Sequence, residues 1–200
     1  MIFQKFEKAL FEESVYPSSK EIYNYIVNKG EIINLRKKDI LINYGENDAD
    51  VYFVITGIIR GAIINKEGKE LTIGFGECGS IIYSTQCYTF NEPSLIQFSA
   101  CSESMLLKIN KPDFEEHLKE NHEFCRWFMG TLALALAYRN LRNEGLNGDA
   151  LNKYKWMMEK RPQIIENVSD KIIASYLDIT EVHLSRIKAK LYKEKEKAGK

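Results

Sequence analysis

Residues 169–191, SDKIIASYLDITEVHLSRIKAKL, read as two short amphipathic helices joined by a tight turn. The first is predicted over Asp170 to Leu177, with Ser169 as its N-cap, and the second over Glu181 to Lys190, capped by Thr180. Apolar or small residues fall at Ile173, Ala174, Leu177, Ile179, Leu184 and Ile187. A bihelical unit needs that pattern: a small residue where the helices cross, and branched residues in the wedge between them. The turn, Leu177-Asp178-Ile179, has Asp where many such turns place Gly, and Asp tolerates the left-handed region. Glu181, His183, Ser185, Arg186, Lys188 and Lys190 are left largely outward. Such a helix can enter a DNA major groove, although an ordinary α-hairpin with a solvated face has the same spacing.

Working outward, the charge is uneven. The 200 residues carry 28 basic and 28 acidic side chains, yet from Thr180 to Lys200 seven Lys/Arg face three Glu. A basic tip on an acidic body suits contact with phosphate at one end only. The four cysteines, Cys78, Cys87, Cys101 and Cys125, form no CxxC pair, so metal ligation has no local support. With no signal-like N-terminus and no stretch of transmembrane length, the expectation is a cytoplasmic protein that does not enter a membrane.

From Gly30 to Ile109 the hydrophobic period is two. Strands are predicted over Glu31–Leu35, Asp39–Asn43, Val51–Thr56, Ile58–Asn65, Glu70–Gly76 and Leu95–Ile109, with a hairpin loop at Asn65–Lys69. Short strands at this spacing suggest a closed antiparallel roll, a shape that often holds a small ligand in its mouth. The segment contains no histidine, which argues against a barrel metalloenzyme, and no hydrolytic triad or P-loop is visible. Catalytic and metal-binding residues are therefore not assigned, and the chain is read as a non-enzyme.

Two short helices are predicted before the roll, one showing Phe3, Phe6 and Leu10, the other starting near Pro17-Ser18-Ser19 and showing Ile22, Tyr25 and Ile26. After it, one long helix is predicted from Lys111 to about Asn143, striped by Phe114, Leu118, Phe124, Phe128, Leu132, Ala135 and Leu136. Its second apolar face asks for a partner, either a second copy of the chain or the N-terminal helices. Arg139, Arg142 and Asn143 end the stripe, Gly145 and Gly148 mark a hinge, and a further helix covers Asp149 to Arg161.

The order roll, long helix, bihelical unit resembles the Crp/Fnr family of bacterial transcription regulators, in particular its Bacteroidetes-type members. Gly45-Glu46-Asn47-Asp48-Ala49-Asp50-Val51-Tyr52-Phe53-Val54-Ile55-Thr56-Gly57-Ile58-Ile59-Arg60 looks like that family's cyclic-nucleotide-binding signature. Gly79 looks like the glycine that opens its phosphate-binding cassette, and Ile173 to Ile187 matches its helix-turn-helix. The resemblance implies an α+β chain in three parts. Residues 1–120 form a cyclic-nucleotide-binding-like antiparallel β-roll (a double-stranded β-helix), 121–145 a long dimerisation helix with hinge, and 146–200 an all-α helix-turn-helix domain. It implies a homodimer on a pseudo-palindromic site in double-stranded DNA, with RNA polymerase as a further partner. The alternative is a ligand-binding module that acts through protein contacts.

The resemblance also marks departures. The family's ribose-binding Gly-Glu pair falls on Tyr83-Ser84, and its phosphate-binding Arg-Ser pair on Ser94-Leu95. The carboxylate for the 2′-hydroxyl and the guanidinium for the phosphate are absent, and a buried phosphate without them costs several kcal/mol. The expectation is no cyclic AMP bound in the usual way, and either another small effector or none. The oxygen-sensing branch uses an N-terminal cysteine cluster, whereas the first cysteine here is Cys78. The family's DNA-reading set falls on Glu181, Val182 and Arg186, with Thr180, His183, Ser185, Lys188 and Lys190 as candidates for backbone or flanking contacts. The family's β-hairpin wing has no counterpart before YKEKEKAGK, so the Lys-rich end is expected to grip the DNA backbone instead.

Overall fold

The computed structural model describes residues 1–12, 14–16, 19–145 and 149–198 and, within these, every side chain but those of 138, 139, 141–145 and 195–198. Two four-stranded antiparallel sheets form the roll. One has the order β1-β8-β3-β6 and the other β2-β7-β4-β5. The strands are β1 (Glu31–Leu35), β2 (Ile40–Ile42), β3 (Val51–Thr56), β4 (Ile59–Ile64), β5 (Glu70–Gly76), β6 (Ile81–Ile82), β7 (Gln97–Ala100) and β8 (Ser104–Ile109).

β3 shows why its run VYFVIT lacks polar alternation. Tyr52 and Val54 point into the roll, where they meet Ile42, Ile59, Ile82, Ala100 and Leu106. Val51, Phe53 and Ile55 point outward into a second apolar cluster. A strand covered on both faces reads as a continuous apolar run. The outer cover consists of α1 (Ile2–Glu12), α2 (Lys20–Lys29), α3 (Lys111–Glu120) and the first half of α4 (His122–Gly145). Phe6, Leu10, Ile22 and Ile26 bury the helix faces that their spacing predicts. Pro17 and Ser18, where the second helix is predicted to start, lie outside the described residues.

Two expectations are corrected, and one element was not foreseen. The stretch Leu95–Ile109 is two strands, because Cys101–Glu103 turn the chain between β7 and β8. The long helix is two helices. Asn121 leaves the helical region (φ −118°, ψ 102°), and its side-chain oxygen accepts from the Phe124 N–H at 2.9 Å, capping α4 anew. Between β6 and β7 there is a π-helical turn, Gln86–Phe90, ended by Asn91 in the left-handed region, which period-counting cannot predict.

Gly57 and Gly79 are required by geometry. Both have positive φ, 90° and 92°. A side chain at Gly57 would lie 2.6 Å from the Glu103 carbonyl oxygen, and one at Gly79 2.8 Å from the backbone of Ala9 in α1.

The C-terminal helices are α5 (Ala150–Lys160), α6 (Pro162–Asn167), α7 (Asp170–Tyr176) and α8 (Glu181–Ala198). Asp149 caps α5 by accepting from the Asn152 N–H at 2.8 Å. Gly148, one of the predicted hinge glycines, lies outside the described residues. The core of these helices includes Ile58 and Cys101 of the roll, so it continues onto the roll's surface. Among the described residues no helix is long and apolar enough to cross a membrane.

Candidate functional site

The predicted bihelical unit is α7 and α8. Ile173, Ala174, Leu177, Leu184 and Ile187 are all buried between and beneath them. Asp178 stands in the left-handed region with φ 55°. Its N–H donates to the Ser175 carbonyl at 3.3 Å, and the Ile179 N–H donates to the Ala174 carbonyl at 3.0 Å. This is the paired C-cap bonding that ends a helix and turns the chain at once. Thr180 then opens α8, its hydroxyl accepting from the His183 N–H at 3.2 Å. Ser169 occupies the N-cap position of α7 without a side-chain cap bond.

The outward face of α8 is open. Glu181, Val182, His183, Ser185, Arg186 and Lys190 are exposed, Val182 at 62%. Arg186 makes no hydrogen bond or ion pair among the described residues. Lys188 differs from expectation: it is half-buried and its ammonium pairs with the Asp170 carboxylate at the start of α7. That contact ties α8 to α7, and no local sequence signal links positions eighteen apart on two helices. The Lys-rich end is no separate arm, because α8 runs unbroken to Ala198.

α7 lies along β5, the edge strand of its sheet. The Thr72 N–H donates to Ser175 Oγ at 2.9 Å, and the Thr72 hydroxyl lies 3.2 Å from the same oxygen. Arg60, only 8% exposed, donates from Nε to Thr72 Oγ1 at 2.8 Å and pairs with Glu70 at 2.6 Å. Arg161 reaches the Phe75 carbonyl at 3.4 Å and Glu77 at 3.2 Å, and the Phe75 and Tyr176 rings lie 5.1 Å apart. The family signature draws attention to Arg60, but its partners across the chain could not be read from sequence.

At the roll's mouth the four predicted pocket residues do not present a common surface. Ser84 is fully buried, its Oγ accepting from the Cys87 N–H at 3.4 Å. Ser94 is buried too. Its hydroxyl donates to the Ile96 carbonyl at 2.7 Å, its N–H to the Glu46 carbonyl at 2.9 Å, and its carbonyl accepts from the Gly45 N–H at 2.9 Å. Tyr83 packs against Tyr88 and Phe128 in the outer cluster, and Leu95 is 64% exposed. None of the four is a cation, and the buried Arg60 guanidinium is engaged with Thr72 and Glu70.

The four cysteines are free thiols, and burial pushes Cys101 up to about 11. Among the described residues no group of His, Cys, Asp and Glu is placed to hold a metal ion.

Residues 32–121 match the family model of the cyclic nucleotide-binding domain. No curated protein sequence matches the chain. Solved structures of similar fold include the c-di-GMP-responsive global regulator CLP of Xanthomonas campestris, at 12% identity, with 88% of this chain and 93% of that one covered and a TM-score of 0.70. FixK2 of Bradyrhizobium japonicum aligns at 18% identity over 82% and 85%, TM-score 0.67. The catabolite activator protein of Thermus thermophilus aligns at 14% over 93% and 87%, TM-score 0.56. The chain thus contains a cyclic-nucleotide-binding-type roll and shares its overall fold with these proteins.

Proposed function

We propose that the chain is a DNA-binding transcription regulator of the Crp/Fnr type and not an enzyme. The observation that carries this is the outward face of α8: a helix locked to α7 by Leu184 and Ile187, with Arg186 exposed and unpaired among the described residues beside Glu181, Val182 and Ser185. In a major groove Arg186 would grip a guanine edge, Glu181 would accept from cytosine, and Val182 would meet a thymine methyl. Thr180, His183, Ser185 and Lys190 would contact backbone or flanking positions, whereas Lys188 serves the fold through Asp170.

The second part of the reading is a homodimer through α4. Its first half is covered by the roll and α1, with Phe124 and Trp127 fully buried. Its opposite face leaves Met129, Leu132 and Leu136 exposed, and alanines between the two leucines let another backbone approach. A two-fold axis along this face would set two copies of α8 about one DNA turn, roughly 34 Å, apart. The roll would bias that spacing through a small effector other than cyclic AMP, or hold it without one.

The test is selection of duplexes from a random pool by the purified chain, followed by binding titrations. The expected result is a pseudo-palindromic preference that Arg186→Ala abolishes, at roughly 1–3 kcal/mol for each guanine edge no longer gripped. No enrichment of any duplex by the wild-type chain would favour the reading in which it acts through protein contacts.

A further inference from the structure

We infer that Asp170 is a positioning residue for the reading helix: by pairing with Lys188 it withholds that cation from DNA phosphate, and so sets the sequence-independent grip of α8. The inference rests on the DNA-binding reading above and deepens it.

Lys188 is the exception on α8. Of Arg186, Lys188 and Lys190, only Lys188 is paired with a carboxylate among the described residues. It follows Glu181 by seven residues, about two helical turns, so the two share one flank of the helix. α7 begins at Asp170, and there its carboxylate meets the Lys188 ammonium. The two side chains keep 34% and 48% of their surface, Lys188 the smaller share. Buried Tyr154 of α5 lies close enough to feel both charges. Burial raises its hydroxyl pKa, the Lys188 charge works against that, and the Asp170 charge adds to it.

As a tie between helices the pair is modest. An ion pair this exposed contributes little beside the burial of Leu184 and Ile187. Its larger effect is on charge. A free lysine at the edge of a groove-bound helix neutralises a phosphate, and each phosphate neutralised adds affinity for every sequence alike. In a helix-turn-helix the first helix crosses the DNA backbone. Asp170, in the first turn of α7, would thus be carried toward phosphate too, where a bare carboxylate is repelled. Joined, each group conceals the other. Lys188 can extend its ammonium along its flexible stem only when Asp170 releases it. Discrimination is then left to Arg186 and its base contact.

The test uses the full chain and the variants D170N, K188Q and D170N/K188Q. Each is titrated, at several salt concentrations, against a duplex selected by the wild type and an unrelated duplex of equal length. D170N is expected to bind both duplexes more tightly, by the same factor. Its slope of log K against log salt should be steeper by about 0.9 for each phosphate that Lys188 gains. K188Q, which leaves the carboxylate bare, should bind both more weakly. The double variant should lose the added slope of D170N. Asp170→Ser, also suited to a helix start, should behave as D170N. A pair that only holds the helices together would weaken binding in both single variants, and that shared loss overturns the inference. So does a double variant that keeps the full gain of D170N, which would trace the gain to lost repulsion and not to Lys188. A changed ratio between the two duplexes in D170N also overturns it, because Lys188 would then be reading bases. A wild-type chain that binds no duplex removes the DNA-binding reading and this inference with it. A wild type that binds, with D170N unchanged in affinity and slope, removes the inference alone.

Discussion

The outward face of α8 and the mouth of the roll are both places where ligand-contacting side chains are expected, and the molecule treats them oppositely. On α8 the polar groups face solvent, and Arg186 has no partner among the described residues. At the mouth, Ser84 and Ser94 are buried and their hydroxyls engage the chain's own backbone. A polar group left in water costs nothing to keep ready, whereas a buried one must be satisfied from within if no ligand does so. The contrast agrees with the proposed reading, in which the helix meets DNA while Ser84 and Ser94 serve the fold.

The largest expected effect breaks the first side of that contrast. Leu184→Ala would remove a fully buried side chain from beneath α8, at about 2–5 kcal/mol. Thermal unfolding should show the C-terminal helices melting early and DNA binding abolished, although no outward residue has changed. The second side is tested with cyclic AMP. A site with a dissociation constant of about 10 μM would stabilise the chain by about 2.7 kcal/mol at about 1 mM nucleotide. The expectation is no shift in melting temperature, and a shift of several degrees would show that the mouth can still open to a phosphate.

Intermediate in size is Ser175→Ala. It leaves the Thr72 N–H and the buried Thr72–Arg60 pair short of an acceptor, at about 1–3 kcal/mol. Guanidinium unfolding should register the destabilisation as a change in midpoint without a change in slope. The smallest effect is in the helical cover. His117 stacks on Tyr25 with ring centroids 3.5 Å apart, and burial lowers its pKa. The folded state therefore resists protonation more than the unfolded chain. Stability should be level above an unfolded-state pKa of about 6.5 and fall as pH drops below it. His117→Gln should flatten that limb in melts taken from about pH 7.5 to about pH 5.

Local patterns carried much of this into the sequence. β1 and β5 fall where a period of two places them, β3 where its unbroken apolar run does, and Asp178 adopts the conformation that its position in the turn demands. Ile173, Ala174, Leu177, Leu184 and Ile187 are buried because spacing alone puts them on one seam. What escaped was non-local or non-periodic. The break at Asn121 depends on one capping side chain inside an otherwise helical pattern. The π-helical turn follows no hydrophobic period. Lys188 has the composition of a free basic residue, and only the crossing of α7 and α8 brings Asp170 to it. The bonds from Thr72 to Ser175 join residues 103 apart, and nothing near either position announces the other.

The placement of α7 on β5 has one more consequence. An unpaired strand at a sheet margin is a template for other chains. Here Ser175, Arg161 and Tyr176 occupy that margin, so the C-terminal helices act as a lid over a sticky border. A roll deprived of them would offer its bare hydrogen-bonding rim to its neighbours, and self-association into polymers would be its natural fate.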